Sequence, residues 1–290
     1  MEWLERMQKS LNYLEEHLES KFDINEVARV ACSSPFHFQR MFYILTGVTV
    51  AEYIRRRRLT LAAQELASTH VKVIDLAFKY GYDTPESFSK AFRKVHGLTP
   101  TVARGPGVKL KAFPRLSFQI SLKGDKAMDY RIFDKEAFRV IGKCLKVSTR
   151  DGENLRRIPS FWDECCHDGS YQKLASIQGD MAVLGICRDF DPDMEELVYM
   201  VAVEKPVQPL TDDYQGFEEY TVPASTWAVF ESVGSMPDAI QKVWQRVFSE
   251  WFPATGYEHA GTAELESYPP GNMGSDEYYS EVWIPVKSRE

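Results

Sequence analysis

Apolar residues recur with helical spacing through the first hundred positions, and two stretches there share one pattern. In each stretch a hydroxyl residue precedes a proline, and two phenylalanines four residues apart fall on one helix face. A glycine follows each stretch where a helix would end. At an offset of 50 the matching residues are Ser34 and Thr84, Pro35 and Pro85, Phe38 and Phe88, Phe42 and Phe92, Gly47 and Gly97, and Thr49 and Thr99. The pattern predicts two equivalent helices, each with a buried aromatic face.

A short apolar helix is predicted before each of these helices, over residues 24–31 and 73–80. Helix, tight turn and capped second helix is the order of a helix-turn-helix motif, whose second helix enters the major groove. Residues 50–68 are predicted to form one connecting helix, about 28 Å long at 1.5 Å per residue. Successive major-groove faces on one side of a duplex lie roughly 34 Å apart, so one chain would insert both second helices. The N-terminal domain is therefore predicted to be all-α with two helix-turn-helix motifs.

The outward faces of the two second helices carry the candidate DNA-binding residues. Arg40 suits a guanine edge or a phosphate, Gln39 an adenine edge, and Glu86 the amino group of cytosine. Lys90 and Arg93 are candidates for phosphate contacts. The full predicted set is Ser34, Phe36, Gln39, Arg40, Thr84, Glu86, Ser87, Ser89, Lys90 and Arg93. The alternative, that these are ordinary solvated helix faces, accounts poorly for a motif that occurs twice.

Four consecutive arginines, residues 55–58, lie on the predicted connecting helix, so their side chains point to all sides. Some are expected to contact phosphates. At least one is expected to pair with an internal carboxylate such as Glu52 or Asp75.

Residues 24–104 resemble the AraC/XylS family DNA-binding domain. The runs that carry the resemblance are Ile74-Asp75-Leu76-Ala77-Phe78-Lys79-Tyr80-Gly81-Tyr82, Ser87-Phe88-Ser89-Lys90-Ala91-Phe92-Arg93-Lys94 and His96-Gly97-Leu98-Thr99-Pro100. The resemblance implies transcriptional regulation through DNA binding. It also implies base-reading positions at Phe36, Gln39 and Arg40, and at Glu86, Ser87, Ser89 and Lys90.

Strand-like alternation replaces the helical pattern after the cluster Gly105-Pro106-Gly107, through which no helix continues. In the C-terminal part, two strand-like runs, a helix with a tryptophan (Trp162 or Trp244) and two closing strands occur twice. This duplication predicts an α+β domain whose halves meet across a cleft, a common kind of ligand site. The predicted boundaries are a DNA-binding domain over residues 1–104, a linker over 105–127 and a ligand-binding domain over 128–290.

The last predicted strand contains a candidate ligand site. Residues of one parity share a strand face, so Tyr279, Glu281 and Trp283 point the same way. A carboxylate between aromatic rings suits a cationic, aromatic or lipophilic ligand through charge pairing and cation–π contact. An exposed strand face with a solvated Glu281 is the alternative.

The C-terminal region resembles the GyrI-like effector-binding domain found in Rob- and BmrR-type regulators. The resemblance rests on the duplication and on the run Glu281-Val282-Trp283-Ile284-Pro285. It implies that Glu281 is the acid of the cleft and that Trp162 and Tyr279 contribute to its lining. The implied effector is a small amphipathic or cationic molecule.

Charge divides at the same place as the hydrophobic pattern. Residues 1–108 hold 15 Lys and Arg against 12 Asp and Glu, a net charge of +3, whereas the remainder holds 20 against 30, a net charge of −10. A basic module that meets phosphates is thus joined to an acidic module with another task. The expected partners are double-stranded DNA, at two adjacent major-groove segments, and a small-molecule effector. RNA polymerase is a further candidate.

The remaining chemistry is sparse. None of the five cysteines forms a CxxC pair, and no second cluster completes Cys165-Cys166-His167, so reduced thiols are expected, with no metal, cofactor or catalytic residue. Because signal-peptide and membrane-span patterns are missing, the expected location is the cytoplasm, without a membrane partner. The expected function is a ligand-responsive transcriptional regulator and not an enzyme. Two alternatives stay open for the C-terminal domain: a small-molecule hydrolase with Glu281 as general base, or a protein-interaction module.

Overall fold

The computed structural model describes residues 2–117, 127–149, 153–177, 182–191, 196–206 and 214–288. The chain forms two compact units, Met1–Ser121 and Leu122–Glu290. The first unit has a hydrophobic core between helices, and the second has a core on one face of a sheet.

The N-terminal unit is all-α, as predicted. Its helices are α1 (Glu2–Glu16), α2 (Ile24–Val30), α3 (Pro35–Thr46), α4 (Val50–Ser68), α5 (Val73–Lys79), α6 (Pro85–His96) and α7 (Pro100–Ala103). Four helices start in the same way, because a hydroxyl oxygen accepts a hydrogen bond from the amide three residues later. These capping residues are Ser34, Thr49, Thr84 and Thr99. Helix α1 was not among the predicted elements.

Both helix-turn-helix motifs are present, α2 with α3 and α5 with α6. Each turn is closed by an amide-to-carbonyl hydrogen bond of 2.9 Å, from Ser33 to Ala28 and from Tyr82 to Ala77. The phenylalanines that mark the repeat are buried in the unit, as their spacing predicted: Phe38, Phe42, Phe88 and Phe92. Helix α4 covers the residues predicted for the connecting helix.

Residues 108–116, here called the strap, run without regular secondary structure beside α4 and α6. Three strap amides donate hydrogen bonds to side chains on these helices: Phe113 to Thr60 (3.0 Å), Leu116 to Tyr53 (3.2 Å) and Lys111 to His96 (3.3 Å). The strap lies within the predicted linker, and its backbone is tied to the helices of the N-terminal unit.

The C-terminal unit is an α+β domain on one antiparallel sheet, with nine strands in the described part of the chain. The strands are β1 (Tyr130–Lys135), β2 (Phe138–Ser148), β3 (Val183–Asp191), β4 (Glu196–Glu204), β5 (Glu218–Val222), β6 (Ser225–Val233), β7 (Tyr257–His259), β8 (Glu264–Tyr268) and β9 (Tyr279–Ser288). The strand order is β1-β6-β9-β8-β3-β4-β2-β5, and β7 pairs with β9.

The predicted duplication is visible in this order. One half contributes β1 to β4 and the other contributes β5, β6, β8 and β9, and the halves meet where β3 pairs with β8. The first strand of each half pairs with the second strand of the other half, β1 with β6 and β5 with β2. This exchange of edge strands was not predicted.

Helices cover one face of the sheet. They are α8 (Glu153–His167) and α9 (Ser170–Ile177) in the first half and α10 (Asp238–Arg246) in the second, where a π-helical turn (Val247–Trp251) leads into α11 (Phe252–Ala254). The opposite face has its own core, in which Trp227 and Trp283 pack with Leu265 and Phe133.

Candidate DNA interface and effector cavity

The second helices of the two helix-turn-helix motifs, α3 and α6, are here called the first and the second reading helix. The second reading helix, α6, presents an exposed polar face. Phe88, Phe92 and His96 are buried, and their helical spacing turns the polar positions outward. Of the predicted residues, Thr84, Glu86, Ser87, Lys90 and Arg93 are exposed and Ser89 is half-buried. The face thus offers a carboxylate, hydroxyls and cations to a partner.

The first reading helix, α3, is built in the same way but is less exposed. Its predicted contact residues Phe36, Gln39 and Arg40 are half-buried, as is Ser34. The Ser34 and Thr84 hydroxyl oxygens accept hydrogen bonds from the helix amides at 3.2 and 3.1 Å, respectively. Both residues therefore have a capping role, and their predicted DNA contacts remain predictions.

The arginine run on α4 has partners inside the N-terminal unit. The partners are Glu52 for Arg55 and Arg56, Glu15 for Arg57, and the carbonyl oxygens of Leu18 and Ser20 for Arg58. The prediction of an internal carboxylate partner is confirmed for Glu52. Ion pairs and hydrogen bonds of this run therefore connect α4 with α1 and with the segment that follows α1.

A cavity of about 400 Å³ opens beside β9 in the C-terminal unit. Tyr279, Glu281 and Trp283 line it together, in agreement with the predicted alternation of the strand. The other lining residues are Phe133, Asp134, Lys135, Ala182, Ser267, Pro269 and Pro270. The volume falls within the roughly 300–1,000 Å³ of small-molecule pockets.

Glu281 has three hydrogen-bond donors at the wall of this cavity. Trp283 Nε1 donates to Oε2 at 2.7 Å, Arg131 Nη2 donates to Oε1 at 2.7 Å, and the Tyr279 hydroxyl also donates to Oε1. Burial by itself would raise the pKa of Glu281, but the three donors outweigh it and the pKa lies below its ordinary value. Burial and the hydrogen bond to the carboxylate raise the pKa of Tyr279 to about 12. At neutral pH the site therefore contains an ionised carboxylate and neutral rings.

Trp162 lies on the opposite, helix-covered face of the sheet. Its Nε1 donates to the Tyr199 hydroxyl at 2.8 Å, and its ring contacts Tyr268 edge-on at 5.2 Å between centroids. The four residues predicted for one site are thus divided between the two faces. The reason is the ladder register, which places Tyr199 and Glu281 on opposite sides of the sheet.

A second acid, Glu266, lies on the helix-covered face near Trp162. It accepts hydrogen bonds from Trp244 Nε1 at 2.8 Å and from the Tyr268 hydroxyl at 2.9 Å. Glu266 was not among the predicted site residues. The alternation of Glu266 and Tyr268 on β8 was the available signal, because it matches the alternation of acid and aromatic side chains on β9.

The five cysteines are free thiols, as predicted. Burial raises the pKa of the Cys165 thiol to about 11, so this group is not an activated nucleophile. Among the helices that the structure describes, none is long and apolar enough to cross a membrane.

Two capped reading helices in one unit and a ligand-sized cavity in the other define a class, that of DNA-binding regulators with a small-molecule domain. Comparison with protein families agrees with this class. The GyrI-like small molecule binding domain family matches residues 128–287, more than half of the chain, and a helix-turn-helix domain family matches residues 27–105.

Known relatives match the N-terminal part. The chain is 37% identical over 94 residues to the HTH-type transcriptional activator AarP of Providencia stuartii, covering 32% of this chain and 70% of AarP. It is 38% identical over 95 residues to the regulatory protein SoxS of Salmonella typhimurium strain LT2, covering 33% of this chain and 89% of SoxS. Among solved structures, SAV2435 bound to tetraphenylphosphonium is similar over 55% of this chain and 94% of that chain, with 23% identity and a TM-score of 0.49.

The chain belongs to the GyrI-like family and carries an AraC-type helix-turn-helix domain at its N-terminus. It is a DNA-binding transcriptional regulator with a small-molecule binding domain. The predicted family and fold class are thereby confirmed, as is the prediction of a DNA-binding transcriptional regulator with a small-molecule binding domain.

Proposed function

We propose that the chain regulates transcription by inserting α3 and α6 into two successive major-groove segments on one side of a duplex. The length of α4 carries this proposal, because its 19 residues span about 28 Å, close to the roughly 34 Å of one DNA turn. In this arrangement Gln39, Arg40 and Glu86 read base edges, and Lys90 and Arg93 meet phosphates.

Binding to promoter fragments selected from genomic DNA, measured over a range of salt concentrations, tests this proposal. Lys90→Ala should weaken binding to all sequences similarly and reduce the salt slope by about 1, because one phosphate contact is lost. Arg40→Ala should cost about 1–3 kcal/mol and relax the sequence preference at one position. Lys242→Ala, at an exposed position on α10, is the control and should change neither property. Wild-type affinity in both reading-helix variants would contradict the assignment of α3 and α6.

We propose further that the effector is a small amphipathic cation that binds in the cavity beside Glu281. The observation that supports this is an ionised carboxylate, 8% exposed, surrounded by the rings of Tyr279, Trp283 and Phe133. A shielded carboxylate attracts a cation strongly, and aromatic faces add cation–π attraction. Glu266, on the other face of the sheet, is the competing location.

Titration with tetraphenylphosphonium, with tetraphenylborate as the anion of the same shape, separates the two locations. Glu281→Gln should weaken binding of the cation at least tenfold, because the charge pairing with a shielded carboxylate is lost. Glu266→Gln is the matched variant and should bind as wild type. The reverse result would move the effector site to the helix-covered face.

We propose a binding role and not a catalytic one for the cavity. The lowered pKa of Glu281 and its three donors make the carboxylate a weak base, which is unsuited to proton abstraction at neutral pH. Turnover of a bound compound that disappears in Glu281→Gln would overturn this proposal.

RNA polymerase is a proposed further partner of the DNA-bound chain. Ile74 and Phe78, one turn apart on α5, are 44% and 56% exposed, and such an apolar pair suits a protein contact. Phe78→Ser should lower activated transcription and leave DNA affinity unchanged. An equal loss of both would point to a defect in the helix-turn-helix unit instead.

A further inference from the structure

The carboxylate proposed to attract the effector already has a cation beside it. Arg131 Nη2 lies 2.7 Å from Glu281 Oε1, and Tyr279 and Trp283 donate the other hydrogen bonds. Glu281 is only 8% exposed, so these three side chains largely enclose it. An organic cation that approaches the Glu281 oxygens therefore competes with these donors for the space beside the carboxylate.

Arg131 is the donor that can leave most easily. It lies on the edge strand β1, which in the described part of the chain pairs only with β6. The Arg131 side chain is 46% exposed, so water can solvate its guanidinium when it moves away from Glu281.

Trp283, in contrast, is part of the core. Its ring contacts Phe133 at 5.3 Å and Trp227 at 5.9 Å between centroids. Moving Trp283 away from Glu281 would open this core, whereas moving Arg131 leaves the core intact.

The surroundings of Arg131 suit an organic cation. The Arg131 guanidinium lies 5.9 Å from the centroid of the Phe133 ring, and Phe133 lines the cavity together with Tyr279 and Trp283. A cation in this position would keep the charge pairing with Glu281 and gain contact with three aromatic rings. Without a replacement, departure of Arg131 would leave a shielded carboxylate without its counter-ion, which is unfavourable.

The other charged side chains near the carboxylate are two acids and one lysine. Asp134 and Lys135 both line the cavity, and Glu231 lies opposite Glu281 across the β6–β9 ladder. These groups tip the local balance towards negative charge once Arg131 has moved away. The cavity is then better matched to a cation than to a neutral or anionic molecule.

We propose that Arg131 is the resident counter-ion of Glu281 and that the cationic effector binds by displacing it. This inference rests on the proposed effector site. It adds Arg131 as a residue that sets the affinity of this site for the effector and its selectivity for cations. A ligand occupies the site only if its cation and apolar surface compete with a guanidinium that the protein itself supplies. Arg131 is also the second residue of β1, the first strand of the C-terminal unit in the described part of the chain.

Calorimetric titration of the full chain with tetraphenylphosphonium tests the displacement. Arg131→Met, which removes the competing charge, should tighten binding about tenfold, the effect of one charge-assisted hydrogen bond. Arg131→Lys, which keeps a competing cation, should bind close to wild type. In a Glu281→Gln background Arg131→Met should no longer change the affinity, because there is no carboxylate left to compete for.

Arg139→Met is the matched control. Arg139 is an exposed arginine on β2 that pairs with Glu219 on β5, at the opposite edge of the sheet from β1. This variant should bind the cation as wild type does. Arg131→Gln serves as a second neutral variant if the methionine variant melts at a lower temperature than wild type. Tetraphenylborate should not gain affinity in any of these variants.

The outcomes separate the displacement from the effector site itself. If Glu281→Gln weakens binding but both neutral Arg131 variants bind as wild type or more weakly, the displacement is wrong and the effector site stands. If Glu281→Gln binds as wild type, the site is wrong and the displacement with it. If neither wild type nor a neutral Arg131 variant binds the cation at millimolar concentration, both proposals are rejected.

Discussion

Two equivalent turn residues in the helix-turn-helix motifs show how a single residue alters local stability. Gly81 has a φ of +75° and Cys32 a φ of +51°, each just before the amide that closes its turn. Left-handed backbone costs a non-glycine residue roughly 1–2 kcal/mol, because Cβ approaches a carbonyl oxygen. Glycine at position 81 also has a steric reason, since a Cβ there would lie 2.8 Å from Arg58 Nη1. The first motif accepts the strain at Cys32, and the second avoids it.

Cys32→Gly should therefore stabilise the N-terminal unit. Removing the backbone strain gains more free energy than is lost because glycine makes the unfolded chain more flexible. The free energy of unfolding should rise by about 0.5–1 kcal/mol, which raises the melting temperature by a few degrees. Gly81→Ala is the matched opposite change and should lower the melting temperature by more. Thermal melting followed by circular dichroism measures both. A lower melting temperature for Cys32→Gly would show that the thiol has contacts worth more than the strain.

The contact between the strap and helices α4 and α6 depends on the protonation state of His96. His96 on α6 connects the strap to α4, because its Nδ1 accepts from the Lys111 amide and its Nε2 lies 3.1 Å from the Leu59 carbonyl oxygen. This pattern needs the neutral ring with its hydrogen on Nε2, since a protonated Nδ1 has no lone pair to accept with. Burial lowers the pKa of His96 below its ordinary value.

The N-terminal unit should consequently lose stability as the pH falls below about 6.5. The unfolded chain takes up a proton on His96 near its ordinary pKa, whereas the folded chain does so only at lower pH. The contribution is complete above pH 6.5 and is lost as the pH falls towards the lowered pKa. Hydrogen exchange of α4 and α6 peptides at pH 7.5 and 5.5 measures this, with the non-titrating His96→Gln as reference. If the exchange rates of wild type and His96→Gln differ by the same amount at both pH values, a role for His96 in the pH dependence is ruled out.

The elements also differ in how far the sequence determined them. Helix α4 begins and ends where its pattern predicted, because Thr49 caps its start and apolar residues follow with helical spacing. The strands of the C-terminal unit were predicted as elements, but their pairing was not. Pairing of β1 with β6 joins distant parts of the chain, and local alternation contains no information about the partner strand.

In the whole molecule, an effector regulates DNA binding only if its own binding changes the free energy of DNA binding. Such coupling is reciprocal. If the bound cation changes the affinity for DNA by some factor, bound DNA changes the affinity for the cation by the same factor. We expect a factor of roughly 5 to 150, the usual range for coupled sites. Titrating DNA with and without tetraphenylphosphonium, and the cation with and without DNA, measures the two factors independently.

Glu281→Gln should abolish both factors in these titrations and leave the DNA affinity of the free protein unchanged. Arg131→Met is informative in the same experiment, because it should lower the cation concentration needed for half of the effect. Cation binding that leaves DNA affinity unchanged would mean that the C-terminal unit acts on something other than DNA occupancy.

The sequence by itself determined which elements form and which side chains share a face. Proline and hydroxyl pairs start the reading helices through local hydrogen bonds, and a side-chain period of two aligns Tyr279, Glu281 and Trp283. Only the tertiary structure decided what these faces meet. Arg131 reaches Glu281 from 150 residues away because β1 is exchanged between the halves. The ladder register turns Tyr199 to the face opposite Glu281, and Trp162 on α8 donates its hydrogen bond to Tyr199 there. Such contacts depend on strand pairing over long distances, which is selected by burial of the whole sheet and not by any local pattern.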